Sequence, residues 1–217
     1  MSDPSLMHNK SCKSSQANHT LCKSTSIAIT WNIDFNDNRL SGSVKHYVEV
    51  LSDCTSVDFD TSKLTITNIT INDLPTSFEL GEPLNSLGQK LSVSIPETLR
   101  VTGAKFVVNI EYSAHPDASA IQWLDSSATK GKKYPYVFTQ CQAIHARSLL
   151  PCQDSPGVKA PYSAVVHCPE WCTVLMSALA VKELSKPGEF HWNQPVPTSA
   201  YLICLAAGNL ASRDIRF

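Results

Sequence analysis

The sequence predicts an all-β protein, and three observations carry that prediction. Apolar residues recur with a period of two through most of the chain, as at Ile27, Ile29, Trp31, Ile33 and Phe35. Such runs follow one another about every ten residues, separated by turn residues. Helical periods are scarce. Many short strands of this kind argue an antiparallel sandwich or large curved sheets.

In chain order, residues 1–24 are polar and rich in Ser, Lys and Asn, and they read as a disordered leader. His8, Cys12, His19 and Cys22 lie within it, but their spacing matches no zinc pattern and no apolar residues surround them. The folded domain is expected over 25–217. Ile27–Phe35 and Val44–Leu51 form a first hairpin around the turn residues Asn36-Asp37-Asn38. Further strands are expected at Ser56–Phe59, Leu64–Ile71, Ser77–Leu80, Leu91–Ile95 and Lys105–Tyr112. Asn72-Asp73, Gly81-Glu82-Pro83 and Thr102-Gly103 mark turns between them. Ser113–Lys133 reads as a loop in which Trp123 packs. Tyr134–Phe138 is extended and aromatic. One short helix follows at Cys141–Leu150, stopped by Pro151. Tyr162–His167 and Thr173–Ala178 are strands, Leu184–Pro197 is a Pro-rich loop, and Ala200–Ala207 is a last strand.

Composition excludes several classes. The 217 residues suit one large β domain or two small ones, with 42% hydrophobic and 17% charged residues. A net charge of −1 without a basic block argues against nucleic acid. No apolar run reaches the roughly 18 residues needed to span a bilayer, so no membrane partner is expected. The first residues lack the apolar core of a secretory signal, which points to the cytoplasm and to eight reduced cysteines.

The familiar catalytic kits are missing. There is no His-Glu-x-x-His, no Gly-x-Ser-x-Gly and no phosphate-cradling glycine loop. His145, Asp154 and Ser155 are close in sequence, but a triad is defined by spatial geometry and not by proximity along the chain. Cys168 and Cys172 have three residues between them and not the two of a redox motif, so they read as structural. No residue of the chain is assigned to catalysis or to a metal. Gln140 and Gln142 straddle the strand end, and their amides can accept a peptide's ammonium or orient its carbonyl. The competing reading is that both satisfy local backbone groups. Arg147 and Asp154 are expected to pin this loop together, and His145 to be a core histidine.

This stretch also carries a resemblance. TQCQAIHAR followed by LPCQDSPGVK resembles the signature of leukotriene A-4 hydrolase-type zinc aminopeptidases, and IDFNDNRLSGSV, VDFDTSKLTITNITIN, SAIQWL and SAYLICLAAGNLASR are similar in the same order. The likeness covers roughly Ser24 to Phe217. It implies a saddle-like amino-terminal domain of mostly antiparallel curved sheets. It also implies that Gln140 and Gln142 help line the pocket for a substrate's free amino end. The wider family has glutamate where Gln142 stands, so a charge is absent here. Zinc, its ligands and the glutamate base are implied for domains of a full-length parent, not for this chain. The parent reaction is then hydrolysis of amino-terminal residues from peptides, compatible in this branch with leukotriene A-4 epoxide hydrolysis. The alternative expectation is a non-catalytic β domain that binds another protein. Oligomeric state is not legible.

Overall fold

The computed structural model describes residues 12–213. It contains fifteen strands: β1 Cys22–Asp34, β2 Arg39–Val50, β3 Ser56–Thr61, β4 Leu64–Ile71, β5 Leu74–Pro75, β6 Phe78–Leu80, β7 Gln89–Ser94 and β8 Lys105–Ala114. These are followed by β9 Ile121–Leu124, β10 Tyr136–Thr139, β11 Lys159–His167, β12 Thr173–Met176, β13 Leu179–Ala180, β14 Glu189–Ser199 and β15 Leu205–Gly208. They form an eight-stranded sheet in the order β13-β14-β11-β1-β2-β8-β4-β5, a four-stranded sheet β12-β15-β10-β9 and a three-stranded sheet β3-β7-β6. Pairing is antiparallel except that β1 runs parallel to β11.

The alternation seen in sequence sorts the large sheet into two faces. Ile27, Ile29, Trp31 and Ile33 of β1 point inward with Val44, Val48 and Val50 of β2, Phe106, Val108 and Ile110 of β8, and Tyr162, Ala164 and Val166 of β11. Phe59 of β3 packs at a tilt on His46 of β2, 4.5 Å between ring centroids, joining the small sheet to the large one. Gly42 of β2 pairs with Trp31 of β1. Its φ is +152°, and a Cβ there would lie 1.9 Å from the Thr30 carbonyl oxygen. Only glycine fits.

Five sequence expectations change in detail, the first being that the Ser113–Lys133 loop contains β9, which pairs with β10. Residues 1–11 lie outside the described residues, but 12–21 pack as irregular chain along β3, and β1 begins at Cys22 inside the span expected to be leader. Ser15 Oγ–H donates to Asp60 Oδ2 (2.5 Å), the Gln16 N–H to Asp60 Oδ1 (2.6 Å), and the Asp58 N–H to Asn18 Oδ1 (2.8 Å). Polar composition therefore hides a segment ordered by the buried Asp60 carboxylate and by the backbone of β3. The helical piece at Cys141–Leu150 narrows to a single 3-10 turn, Ala146–Ser148. Its Arg147 N–H goes to Asp154 Oδ2 (3.3 Å), so the helical ladder cannot propagate. The 184–197 loop is in large part β14. Its Pro195 and Pro197 fall where the β11–β14 register jumps from Ala160↔Thr198 to Tyr162↔Gln194, beyond the reach of β13, so neither needs a ladder N–H. Ala200–Leu202 winds a 3-10 turn and only Leu205–Gly208 is strand, because a short apolar run does not declare its period.

Candidate functional site

β10 lies between β9 and β15, and its last residue, Thr139, pairs with Ile121. The Gln140 N–H continues this pairing by donating to Ala120 O at 2.9 Å, while the Leu205 N–H donates to Thr139 Oγ1 at 2.9 Å. Both glutamine side chains are exposed at this strand end. Gln140 Oε1 accepts the Gln142 N–H at 2.9 Å, so half of the local-backbone reading holds for Gln140. Among the described residues no hydrogen bond engages the Gln142 side-chain amide, and the Gln142–Ala143 peptide is cis.

The segment beyond the glutamines is densely held. Tyr112 Oη–H donates to Leu149 O (3.1 Å), and His46 Nε2 meets Pro151 O (2.9 Å) while its Nδ1 meets Ser24 Oγ (3.0 Å). Cys152 exchanges backbone hydrogen bonds with Asp60 (2.8 and 3.2 Å). Gln153 accepts the Ser24 N–H (2.9 Å) and donates to Cys22 O (2.8 Å). The LPCQD segment is thus an internal fastener, with Leu149 to Asp154 all buried.

At its centre is a charged knot. Arg147, 1% exposed, donates from Nε to Asp154 Oδ2 (3.0 Å), from Nη1 to Leu87 O (2.8 Å) and from Nη2 to Ser14 O (2.7 Å). Nη1 also lies 3.6 Å from Asp60 Oδ1. Burial outweighs the guanidinium at Asp154 and raises its carboxyl above the usual range. Desolvation likewise lifts the thiols of Cys152 and of Cys141, the latter to about 12, so neither is a nucleophile.

Arg147 and Asp154 therefore meet as expected from sequence, but with Asp60 as a third member that no local pattern singles out. Only the pair of acids in the apolar strand SVDFDT hints at it. The His145, Asp154 and Ser155 group is not assembled: Asp154 faces Arg147, and the Ser155 hydroxyl accepts the Gly157 N–H (3.3 Å). His145 is half-buried and not the core histidine expected, and it bonds the Ser119 hydroxyl of the β8–β9 connection at 2.7 Å. Trp123 does pack, edge-on to Phe35 at 5.8 Å. A cleft of about 1010 Å³ walled by Phe35, Tyr134, Pro135 and Trp171 lies at the opposite end of β10 from the glutamines.

Residues 21–202 match the peptidase M1 N-terminal domain family. The chain belongs to that family. Among M1 relatives, leucine aminopeptidase 2 of Yarrowia lipolytica is 37% identical over 202 residues, covering 93% of this chain and 30% of that protein. Leukotriene A-4 hydrolase of Xenopus laevis is 37% identical over 190 residues, covering 85% of this chain and 31% of that protein. Yeast LTA4 hydrolase, solved in complex with bestatin, superposes with a TM-score of 0.85 at 29% identity, over 99% of this chain and 34% of that one. An M1 zinc metallopeptidase from Deinococcus radiodurans shares the fold with a TM-score of 0.68 at 16% identity, over 86% of this chain and 42% of that one. The chain thus spans about a third of the length of the curated M1 relatives it matches.

Membership of the M1 metallopeptidases implies zinc in the whole protein. Among the described residues no group of three or more His, Cys, Asp or Glu side chains is placed to hold a metal ion, so the residues here do not fit a zinc site. No helix among them is long and apolar enough to cross a membrane.

Proposed function

We propose that this chain is the amino-terminal domain of a zinc aminopeptidase and that Gln140 and Gln142 are the side chains it presents to the free amino end of a peptide. One observation carries the assignment of the pair. The Gln142 amide is exposed and uncommitted, at the end of a strand whose following loop is fastened by the Arg147 knot. With the backbone already fixed, only the side chain's own rotamers remain to be ordered when it meets a ligand, at about 0.5–1.5 kcal/mol. Its carbonyl can accept from a substrate ammonium. Gln140, whose Oε1 is taken by the Gln142 N–H, keeps its Nε2 hydrogens for a substrate carbonyl. Because both groups are amides, the contact is a hydrogen bond to a charge and not an ion pair.

The relatives support this reading. Two are named for leucine aminopeptidase and leukotriene A-4 hydrolase activity, and the Deinococcus neighbour was solved with a Tyr-Ser-Ala substrate. They favour the peptidase over a stand-alone binding module. Zinc in this reading is held by residues outside this chain, and the protein works on peptides in the cytoplasm.

The test uses the whole protein that carries this domain. Gln142→Ala should lower peptide kcat/KM about ten- to a hundredfold, the equivalent of roughly 1.5–3 kcal/mol for a hydrogen bond to a charged group. Zinc content should not change. An unchanged kcat/KM would return Gln142 to the role of a strand-end amide.

A further inference from the structure

The connection between β11 and β12 holds two cysteines that the peptidase reading leaves unused. The Cys168 N–H donates to Gly188 O (3.0 Å) and the Cys172 N–H to Pro169 O (2.9 Å), so residues 169–172 close a turn. The Cys168 thiol donates to the carbonyl oxygen of Cys172 (3.8 Å), so its sulfur reaches across the turn to its partner residue, while the Cys172 thiol donates to Thr173 O (3.7 Å). Three residues separate the cysteines, and the turn folds the second back until the first one's sulfur touches its backbone, the close approach that a disulfide requires.

The pair is also unequal in a useful way. Cys168 is half-buried, whereas Cys172 is 2% exposed. The side-chain contact with Cys172 holds the Cys168 thiol below its ordinary range, and that contact together with burial pushes Cys172 far up. An accessible sulfur with thiolate character beside a buried partner is the arrangement of an attacking and a resolving thiol. Cys22 and Cys54 also touch, but both are buried and both are raised.

We propose that Cys168 and Cys172 form a reversible disulfide, closed by glutathione disulfide and reopened by glutathione. The Cys168 thiolate attacks one sulfur of glutathione disulfide. The glutathione S–S bond breaks, and the leaving glutathione thiolate takes up a proton. Cys172 then gives its proton to solvent, attacks the Cys168 sulfur of the mixed disulfide and expels the second glutathione thiolate. Two electrons pass from the protein dithiol to the oxidant, and two glutathione molecules are released for each bond made. The ring so formed encloses Trp171, which stacks on Tyr134 at 4.5 Å and leans on Phe35 at 5.0 Å. Thiol state is therefore tied to the wall of the aromatic cleft, which Pro169 and Trp171 both line.

The 217-residue chain can be equilibrated at graded ratios of glutathione disulfide to glutathione, quenched with N-ethylmaleimide, unfolded and mapped by peptide mass. As the ratio rises, Cys168 and Cys172 should lose alkylation together, with no glutathione left on the peptide. Tryptophan emission should change with the same midpoint, and Trp171→Phe should remove most of that change. Cys172→Ser should trap glutathione on Cys168, while Cys168→Ser should leave Cys172 alkylated throughout. The serine changes exchange one atom, and a melting curve at full reduction shows whether each variant is folded. The proposal is overturned if both thiols stay alkylated at every ratio. It is equally overturned if the wild-type chain halts at a mixed disulfide on Cys168.

Discussion

Replacing Arg147 by methionine removes the one cation from a site that keeps Asp60 and Asp154 at 0 and 2% exposure. The methionine stem fills much of the arginine's volume, so the loss is electrical more than steric. Two carbonyls, Leu87 O and Ser14 O, lose donors at 2.8 and 2.7 Å, and Asp154 Oδ2 loses one at 3.0 Å. Breaking a buried pair from one side costs about 3–5 kcal/mol, because the remaining charge is stranded away from water. With about 2.1 cal/mol/K of unfolding entropy per residue over 217 residues, this lowers Tm by roughly 7–11 °C. Thermal and urea unfolding of the chain read both quantities. Adding Asp154→Asn to Arg147→Met should recover part of the loss, since one stranded carboxylate is neutralised. A loss under about 1 kcal/mol for Arg147→Met would refute the reasoning, placing the knot with the weak surface pairs.

Two further perturbations test the fastener. Burial depresses His46 to about 4 from 6.5. The unfolded chain takes up a proton that the folded one refuses, so the stability contributed by neutral His46 is full above about pH 6.5. It is lost as pH falls to about 4, by roughly 3 kcal/mol. Asp154, raised by burial, contributes with the opposite sign, gaining as pH falls; comparison with His46→Gln isolates the histidine, and an unchanged pH slope in that variant would count against it. Tyr112→Phe removes the hydroxyl that accepts the Trp31 Nε1–H at 2.7 Å and donates to Leu149 O at 3.1 Å. Leaving a buried donor and a carbonyl unpaired should cost about 1–3 kcal/mol, read as a lower urea midpoint at unchanged m-value.

Much was legible in the sequence because it is written in local periods. The two-residue alternation at Ile27–Phe35 and Lys105–Tyr112 marks strands with one buried face whatever they pair with. The signature stretch placed Gln140 and Gln142 at a strand end, and the structure puts them there, exposed. Arg147 and Asp154, seven residues apart, were close enough in sequence to be matched.

What only the tertiary structure decided lies at long range. β1 and β11 run side by side in parallel although the register joins Ile27 to Tyr162, and no local pattern encodes that pairing. Asp60, Ser14 and Leu87 meet Arg147 from three distant segments. That meeting turns polar residues 12–21 into ordered chain and leaves only one 3-10 turn where an uninterrupted helical piece was expected. The physical reason is shared by all these cases. Local propensities amount to tenths of a kcal/mol per residue, whereas a buried charge demands partners worth several, so the charge and not the propensity dictates the backbone path.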